Sequence, residues 1–199
     1  MLGAISSSTP TPGGGSVAAL ALAHAHSLAL MVARLTLARE KWSEGHSAAE
    51  AVVSFSEPGV GFALILAEND AHAFDDVMRA YRLPKGDDSE LSVRKAAIRT
   101  ATLGAAAVPE ETASAAVNFL ESIVDLAKFG NTNAMTDLAA SAELANTATN
   151  IAAMNVKINL DSLEGEEAEE MAVRLDALLV SSNDFVESIR SIVSERLDW

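Results

Sequence analysis

The chain has 199 residues, a length that suits one domain with a sizeable hydrophobic core. Its 28 acidic residues against 14 basic ones disfavour nucleic acid and anionic membranes as partners, and the absence of cysteine excludes disulfides and thiolate-ligated metal sites. Hydrophobic residues make up 49% of the chain and aromatic residues only 5%, so the apolar content is mainly Ala, Leu and Val, which favours closely packed helices. We therefore expect one all-α domain spanning residues 1–199.

The first predicted element is a loop of prolines and glycines that leads into a long apolar helix. Prolines prevent a helix, and glycines permit backbone conformations that other residues avoid. The loop residues are Pro10, Pro12, Gly13, Gly14 and Gly15. Ser16 then stands where a helix N-cap is expected. Backbone N–H groups at the positive end of the helix dipole favour a flat or anionic ligand, but the same loop also suits a tight turn between packed helices.

Six helices are predicted along the chain, and no segment has the pattern of a strand. Their approximate ranges are 16–42, 44–83 with an interruption at 57–59, 89–107, 109–129, 134–156 and 166–197. Proline lacks a backbone N–H group, so Pro58 predicts the interruption and Pro109 predicts a kink or a helix start. Gly130 is a C-cap candidate for the fourth helix. The expected fold is a single multi-helical bundle.

The first helix is apolar enough to resemble a membrane span, but it carries His24 and His26 and is interpreted as a core helix. The two histidines face different directions on a helix, and no ligand spacing such as H-E-x-x-H occurs, so we expect no metal site. The N-terminus lacks the basic and apolar segments of a signal peptide, which favours a cytoplasmic location. The surplus of apolar residues favours an oligomer interface.

Asp70 is the first candidate for chemistry because it lies in an apolar stripe of the second helix. Residues three and four positions apart share a helix face, which places Asp70 in line with Phe74 and Tyr81. A carboxylate there must be paired, hydrogen-bonded or protonated, and desolvation would raise its pKa toward a range useful for acid–base chemistry. The alternative is a structural ion pair with a neighbouring helix.

Asp137 is the second candidate and lies one turn into the fifth helix, on a face shared with Ser141. An acidic residue near a helix N-terminus is also favoured by the helix dipole, so a purely structural role is the alternative. Asparagines recur in this helix and at its exit although they are poor helix formers, which suggests buried amides with specific partners. These asparagines are Asn146, Asn150, Asn155 and Asn159.

Several short stretches, taken together and in order, carry one resemblance. They are S-T-P-T-P-G-G-G-S at 8–16, D-A-H-A-F at 70–74, L-P-K at 83–85, V-P at 108–109, G-N-T-N at 130–133, T-D at 136–137 and N-V-K-I-N-L at 155–160. This ordered set resembles the formiminotransferase-cyclodeaminase C-terminal domain family. The resemblance implies an all-helical fold that forms a homodimer and binds a reduced folate between helices.

The resemblance also implies roles for individual residues. Asp70 matches the proposed catalytic acid, and Asp137 matches a second active-site carboxylate. The candidates for substrate binding are Pro12, Gly13, Gly14, Gly15, Ser16, Phe74, Tyr81, Asn133 and Asn155. Arg39, Lys41 and Lys85 are the cations considered for the substrate glutamate.

Two reactions on tetrahydrofolate are implied, and the sequence does not decide between them. One cyclises 5-formiminotetrahydrofolate to 5,10-methenyltetrahydrofolate with release of ammonia, and the other hydrolyses the methenyl compound to 10-formyltetrahydrofolate. Neither route requires a metal or a cofactor, and the folate substrate is the expected small-molecule partner. The alternative is a non-catalytic dimer that binds folate or serves as an interaction module. Its motivation is that Pro58–Gly59 and A-R-E-K-W at 38–42 depart from the family pattern.

Overall fold

The computed structural model describes residues 2–199, which contain six α-helices of six residues or more and no strand. The helices are α1 (Leu2–Ile5), α2 (Gly14–Leu37), α3 (His46–Tyr81), α4 (Asp88–Ser122), α5 (Val124–Phe129), α6 (Met135–Leu160) and α7 (Glu166–Leu197). Short 3-10 helices at Glu40–Gly45 and Thr132–Ala134 precede α3 and α6. The predicted all-α class is confirmed, and the last helix has the predicted bounds.

Two prolines lie inside helices instead of between them. The predicted interruption at Pro58 is wrong, because α3 runs through it, and Pro109 lies within α4 instead of starting a helix. A proline frees the carbonyl four residues earlier. The carbonyl freed by Pro58 belongs to an exposed serine that water can reach, whereas the carbonyl of Ala105, freed by Pro109, accepts a 3.0 Å hydrogen bond from Nδ2 of Asn159. Each helix continues because the lost hydrogen bond is replaced.

The other differences from the predicted bounds occur at helix ends, and one of them is that α6 continues to Leu160, past the predicted end at residue 156. The predicted helix 109–129 is divided, because α4 ends at Ser122 and α5 begins at Val124. Gly130 does cap α5, and its N–H group donates 2.8 Å to the carbonyl of Leu126. The first long helix ends at Leu37, and the residues predicted to extend it form the 3-10 helix before α3.

Helix α2 lies between α3 and α6 and is antiparallel to both. Its beginning contacts Asp70 of α3 and Asn155 of α6, and further along α2 the carbonyl of Ala25 accepts a 2.7 Å hydrogen bond from Ser141. Helix α4 packs against α3 and α6, and α7 packs against α6 and α4. The N-terminus of α2 is thereby placed between the second half of α3 and the end of α6.

Helices α2 and α3 differ in how much of their apolar surface the bundle covers. By length and composition alone, α2 and the segment that contains α3 could each cross a membrane. The most apolar window of α2 is 61% buried, which agrees with its interpretation as a core helix, but that of the α3 segment is only 28% buried. Large exposed side chains on α3 include Phe55, Phe62, Leu64 and Ile65.

Candidate active site

Asp70 and Ser16 meet where the N-terminus of α2 crosses α3. The hydroxyl of Ser16, which is 1% exposed, donates a 2.9 Å hydrogen bond to Oδ2 of Asp70. Burial raises the pKa of the half-buried Asp70 carboxyl above its ordinary value, and hydrogen bonds from the hydroxyl and backbone N–H of Ser16 partly offset that rise. No cation pairs with Asp70 in the described residues, so the expected alternative of an ion pair does not describe this carboxylate.

Ser16 therefore has a different role from the predicted N-cap. Helix α2 begins two residues earlier, at Gly14, and Gly13 occupies the N-cap position without a side-chain hydrogen bond. The N-cap assignment was based on local sequence, whereas the partner of Ser16 lies 54 residues away on α3. The Ser16 hydroxyl and the first turn of α2 therefore lie directly against the carboxylate of Asp70.

The glycines of the loop allow this close approach. A methyl group at Gly15 would overlap the carboxylate of Asp70, and a methyl group at Gly14 would lie 3.3 Å from Nδ2 of Asn155. Asn155 donates from that nitrogen to the carbonyl of Ile151 at 2.8 Å. The predicted residues Gly14, Gly15, Ser16, Asp70 and Asn155 are thus brought together at one place, with Pro12 and Gly13 directly before them in the chain.

An exposed apolar stripe leads away from Asp70 along α3. Phe74 and Tyr81 follow Asp70 on one face, as predicted, and their exposed fractions are 36% and 50%. Lys85 is exposed in the turn between α3 and α4. The carbonyl of Tyr81 accepts a 3.1 Å hydrogen bond from Nη2 of Arg94, whose guanidinium also lies over the Tyr81 ring. The stripe offers an apolar surface beside the carboxylate and ends near cations.

Asp137 lies at the other end of the bundle. Asp70 contacts Ser16, whereas Ala25, further along α2, contacts Ser141 of α6. Asp137 lies one helical turn beyond Ser141, in the direction away from Asp70. At 1.5 Å per residue, these steps separate Asp137 from Asp70 by about 20 Å. Asp137 is half-buried, and the predicted candidate Asn133, just before α6, is exposed. Within one chain the two aspartates therefore do not form a pair.

The predicted cations Arg39 and Lys41 also lie far from Asp70. Both are exposed and come after the end of α2, whose length places them roughly 30 Å from Ser16. The ammonium group of Lys41 lies 4.7 Å from the ring centroid of Trp42. Within one chain, these cations belong to the end of the bundle that holds Asp137.

The asparagines of α6 have the specific partners that their frequency suggested, but they are not fully buried. Asn146 accepts a 2.9 Å hydrogen bond from the hydroxyl of Ser182, and Asn159 donates to the carbonyl of Ala105 beside the site. Asn150 is exposed. Sequence reasoning did not include Asn159 among the site residues, although its spacing of four from Asn155 places both on one face of α6.

The histidines do not contribute to this site. His26 is 3% exposed, its Nδ1 lies 3.0 Å from the hydroxyl of Ser56, and its ring packs edge-on against Phe119. Burial lowers the pKa of His26 to about 4. His24 is exposed on another face of α2. In residues 2–199, no group of three or more His, Asp or Glu side chains is arranged to hold a metal ion.

The arrangement at Asp70 is suited to proton transfer. A carboxylate of raised pKa, fixed at Oδ2 by a buried hydroxyl, can take a proton from one atom of a ligand and return it to another. The neighbouring apolar stripe can bind a flat ring, because aromatic and aliphatic side chains line it.

Known proteins that are similar to this chain are cyclohydrolases and cyclodeaminases. The sequence pattern of the formiminotransferase-cyclodeaminase family matches residues 1–176. A methenyltetrahydrofolate cyclohydrolase of Methylorubrum extorquens is 34% identical over 203 residues, which cover 99% of this chain and 95% of the relative. The formimidoyltransferase-cyclodeaminase of Rattus norvegicus is 30% identical over 153 residues, but the match covers 76% of this chain and only 28% of that longer protein.

The fold also matches a solved structure along nearly its whole length. The crystal structure of formiminotetrahydrofolate cyclodeaminase from Thermotoga maritima superimposes with a TM-score of 0.86 at 26% sequence identity. The match covers 98% of this chain and 93% of the other.

Proposed function

Because the chain belongs to the formiminotransferase-cyclodeaminase family, we propose that it hydrolyses 5,10-methenyltetrahydrofolate to 10-formyltetrahydrofolate with Asp70 as the proton carrier. The observation that carries the proposal is the Asp70 carboxylate, which is half-buried, unpaired with any cation in the described residues, and held by Ser16. Similarity to a cyclohydrolase over 99% of the chain favours hydrolysis.

The chemistry needs one group that first accepts and then donates a proton. The carboxylate of Asp70 takes a proton from water as the water oxygen attacks the methenyl carbon. The bond from that carbon to N5 then breaks, and Asp70 gives the proton to N5. The remaining hydroxyl proton is released as the formyl C=O bond forms, and the formyl group stays on N10. The methenyl group is already a cationic electrophile, so we propose that no metal or cofactor takes part.

A second candidate reaction uses the same proton carrier. In cyclodeamination, N10 attacks the formimino carbon of 5-formiminotetrahydrofolate in its protonated, amidinium form, Asp70 takes the N10 proton, and the proton passes to the NH2 group, which departs as ammonia and leaves the methenyl cation. The structural match to a formiminotetrahydrofolate cyclodeaminase favours this candidate. Both candidates require one carboxylate at the reacting carbon and an apolar surface for the rings.

A spectrophotometric assay separates the two reactions. The purified protein is mixed with each substrate, and the methenyl absorbance is followed against an uncatalysed blank. Loss of methenyl signal identifies the cyclohydrolase, and gain of signal with release of ammonia identifies the cyclodeaminase. A folded protein that binds tetrahydrofolate but catalyses neither reaction is the non-catalytic alternative and overturns the proposal.

The variant Asp70→Asn tests the assigned proton carrier. We expect kcat to fall roughly 10²- to 10⁴-fold, because the amide cannot carry the proton. Because burial raises the pKa of Asp70, its ionised carboxylate destabilises the folded state at neutral pH. The uncharged asparagine removes this cost, so the melting temperature of the variant should be no lower than that of the wild type. Asp75→Asn, at an exposed position of the same helix, is the matched control and should retain activity.

We further propose that the protein is a cytoplasmic homodimer with no nucleic-acid or membrane partner. Exposed apolar side chains on α2 and α3 support a second copy as the partner, because Met31, Phe62 and Ile65 are 39%, 42% and 53% exposed. Gly61 lies on the same helix as Phe62 and Ile65, and a methyl group added at Gly61 would meet no neighbouring atom. The net charge of −14 argues against anionic surfaces as partners.

Light scattering after size-exclusion chromatography tests the dimer. We expect the wild type to have twice the chain mass and Ile65→Glu to shift toward the monomer, because a charge would be buried at the interface. Val173→Glu, at a 71% exposed position of α7, is the control and should leave the mass unchanged. A monomeric wild type, or one that sediments with lipid vesicles, overturns this proposal.

A further inference from the structure

A hydrogen bond between α6 and α4 lies one helical turn from the contact between α6 and the first turn of α2. Nδ2 of Asn159, on α6, donates 3.0 Å to the carbonyl of Ala105 on α4. The same nitrogen donates 2.9 Å to the backbone carbonyl of Asn155. A side-chain amide nitrogen has two hydrogens, so both donors of Asn159 are used inside the bundle. One side chain therefore joins the backbone of Asn155 to α4.

The acceptor on α4 is available because of Pro109. In a regular helix, the N–H group of residue 109 would donate to the carbonyl of Ala105, but proline lacks that group. Pro109 is buried and Ala105 is half-buried, whereas the carbonyl freed by Pro58 belongs to exposed Ser54. Water is sufficient for the second carbonyl, but the first is enclosed between helices. The proline thus provides an acceptor that faces α6, and Asn159 occupies it.

Asn155 is the residue of α6 that faces the first turn of α2. A methyl group at Gly14 would lie 3.3 Å from Nδ2 of Asn155 and 3.6 Å from its Oδ1. Nδ2 donates to the carbonyl of Ile151 on the same helix. Oδ1 accepts no hydrogen bond in residues 2–199 and is not buried. The side chain therefore presents a free acceptor beside the glycines.

Two polar side chains flank the first turn of α2. Asp70 of α3 contacts the turn at Gly15, and Asn155 of α6 contacts it at Gly14. Neither glycine has a side chain, so a ligand lying against this turn meets the carboxylate on one side and the amide oxygen on the other. A reduced pterin ring carries N–H and NH2 groups that can donate to such an oxygen. Asn155 is therefore suited to hold the ring while Asp70 reacts at the methenyl carbon.

We propose that Asn159 is a positioning residue, which holds Asn155 against the first turn of α2 and thereby sets how tightly the folate ring binds. The inference rests on the proposed function for the identity of the ligand. Asn159 acts through Asn155, because both of its donors are used by the carbonyls of Ala105 and Asn155. Its loss should raise KM and leave kcat and the pH profile, which depend on Asp70, nearly unchanged.

Calorimetric binding of 5-formyltetrahydrofolate tests the inference without turnover. We expect Asn159→Ala and Asn155→Ala each to weaken binding about fivefold, which corresponds to the loss of one hydrogen bond. The double variant should bind no more weakly than either single variant, because Asn159 acts only through Asn155.

Asn150→Ala is the matched control. Nδ2 of Asn150 also donates to the carbonyl four residues earlier in α6, at 2.9 Å, but it has no hydrogen bond to another helix in the described part of the chain. The control removes the same kind of side chain from the same helix without separating α6 from α4. Its affinity for 5-formyltetrahydrofolate should equal that of the wild type.

The variant Pro109→Ala separates positioning from stability. It restores an N–H group to α4, which can donate to the carbonyl of Ala105 in place of Asn159. In this background, Asn159→Ala should lower the melting temperature less than it does in the wild type, but it should still weaken folate binding by the same factor. Full affinity in the Pro109→Ala and Asn159→Ala double variant would overturn the inference, because Asn159 would then serve only to satisfy the freed carbonyl.

The outcomes also separate this inference from the proposed function. Unchanged affinity in Asn159→Ala, or a double variant with Asn155→Ala that binds more weakly than both single variants, overturns the positioning role even if the enzyme is active. The expected pattern of affinities in a protein without turnover supports the positioning role and overturns the proposed function. A wild type that binds no reduced folate overturns both.

Discussion

Gly15 and Asp70 are packed so closely that only a hydrogen atom fits between the first turn of α2 and the Asp70 carboxylate. A side chain at Gly15 would force the carboxylate to rotate or α2 to shift. Either movement would also disturb the hydrogen bond from Ser16. The glycine therefore determines where the proton carrier lies, in addition to shaping the loop.

Replacing Gly15 by alanine should impair catalysis more than folding. The displaced carboxylate would miss the reacting atoms, and a misplacement on the order of 1 Å can cost roughly 10²-fold in rate, so we expect a fall of that size in kcat/KM. Gly104→Ala, at a position of α4 with open space around it, is the control and should retain activity with a free energy of unfolding about 0.5–1 kcal/mol higher. Full activity in Gly15→Ala would contradict the proposed role of this contact.

Removing the Ser16 hydroxyl should raise the pKa of Asp70 further. The hydrogen bond stabilises the ionised carboxylate, so Ser16→Ala should shift the acidic limb of the kcat/KM profile to higher pH. The loss of one buried hydrogen bond should also lower the free energy of unfolding by about 1 kcal/mol. Ser27→Ala, at an exposed residue of the same helix whose hydroxyl donates to the carbonyl of Ala23, should leave the pH profile unchanged. A purely structural Ser16 would affect stability but not the profile.

The residues near Asp70 illustrate what local sequence can predict. The helical stripe of Asp70, Phe74 and Tyr81 follows from a spacing of three and four residues, and the structure contains it as predicted. The role of Ser16 could not be predicted, because capping rules consider only neighbours in the chain and its partner is on α3. The location of a helix was thus predictable, but the contact between two helices was not.

The two prolines show that helix boundaries, too, depend on contacts that the local sequence does not contain. A proline ends a helix unless the carbonyl that it frees finds another partner. For Pro109, that partner is Asn159, which is 50 residues further along the chain and on another helix. For Pro58, exposure to solvent is sufficient. Both are tertiary properties, which is why local sequence predicted an interruption at Pro58, and a kink or a helix start at Pro109, where α3 and α4 continue.

The buried imidazole of His26 should make the protein less stable in mild acid. Its pKa is about 4 in the folded chain and about 6.5 when unfolded, so between these values the unfolded state binds a proton that the folded state does not. Stability therefore decreases as the pH falls through this window, by about 2 kcal/mol from pH 7 to pH 5. Denaturant unfolding at the two pH values measures the difference.

His26→Gln should reduce this dependence on pH, even if the variant is less stable at neutral pH. His24→Gln is the matched control, because His24 is exposed on the same helix. The control should keep the full decrease between pH 7 and pH 5. An identical decrease in the wild type and in His26→Gln would show that other groups cause it.

Asp137 can assist Asp70 only from a second subunit, because about 20 Å separates them within one chain. If the dimer brings the partner's copy of this position to each Asp70, then Asp70→Asn and Asp137→Asn should each be inactive alone but should complement each other. In a random mixture, half of the dimers contain one chain of each kind, and one of their two sites holds both intact aspartates. Co-expression should therefore restore about a quarter of the wild-type activity per subunit. Full activity of Asp137→Asn alone would remove Asp137 from the reaction, and no recovery in the mixture would contradict a site shared between two subunits.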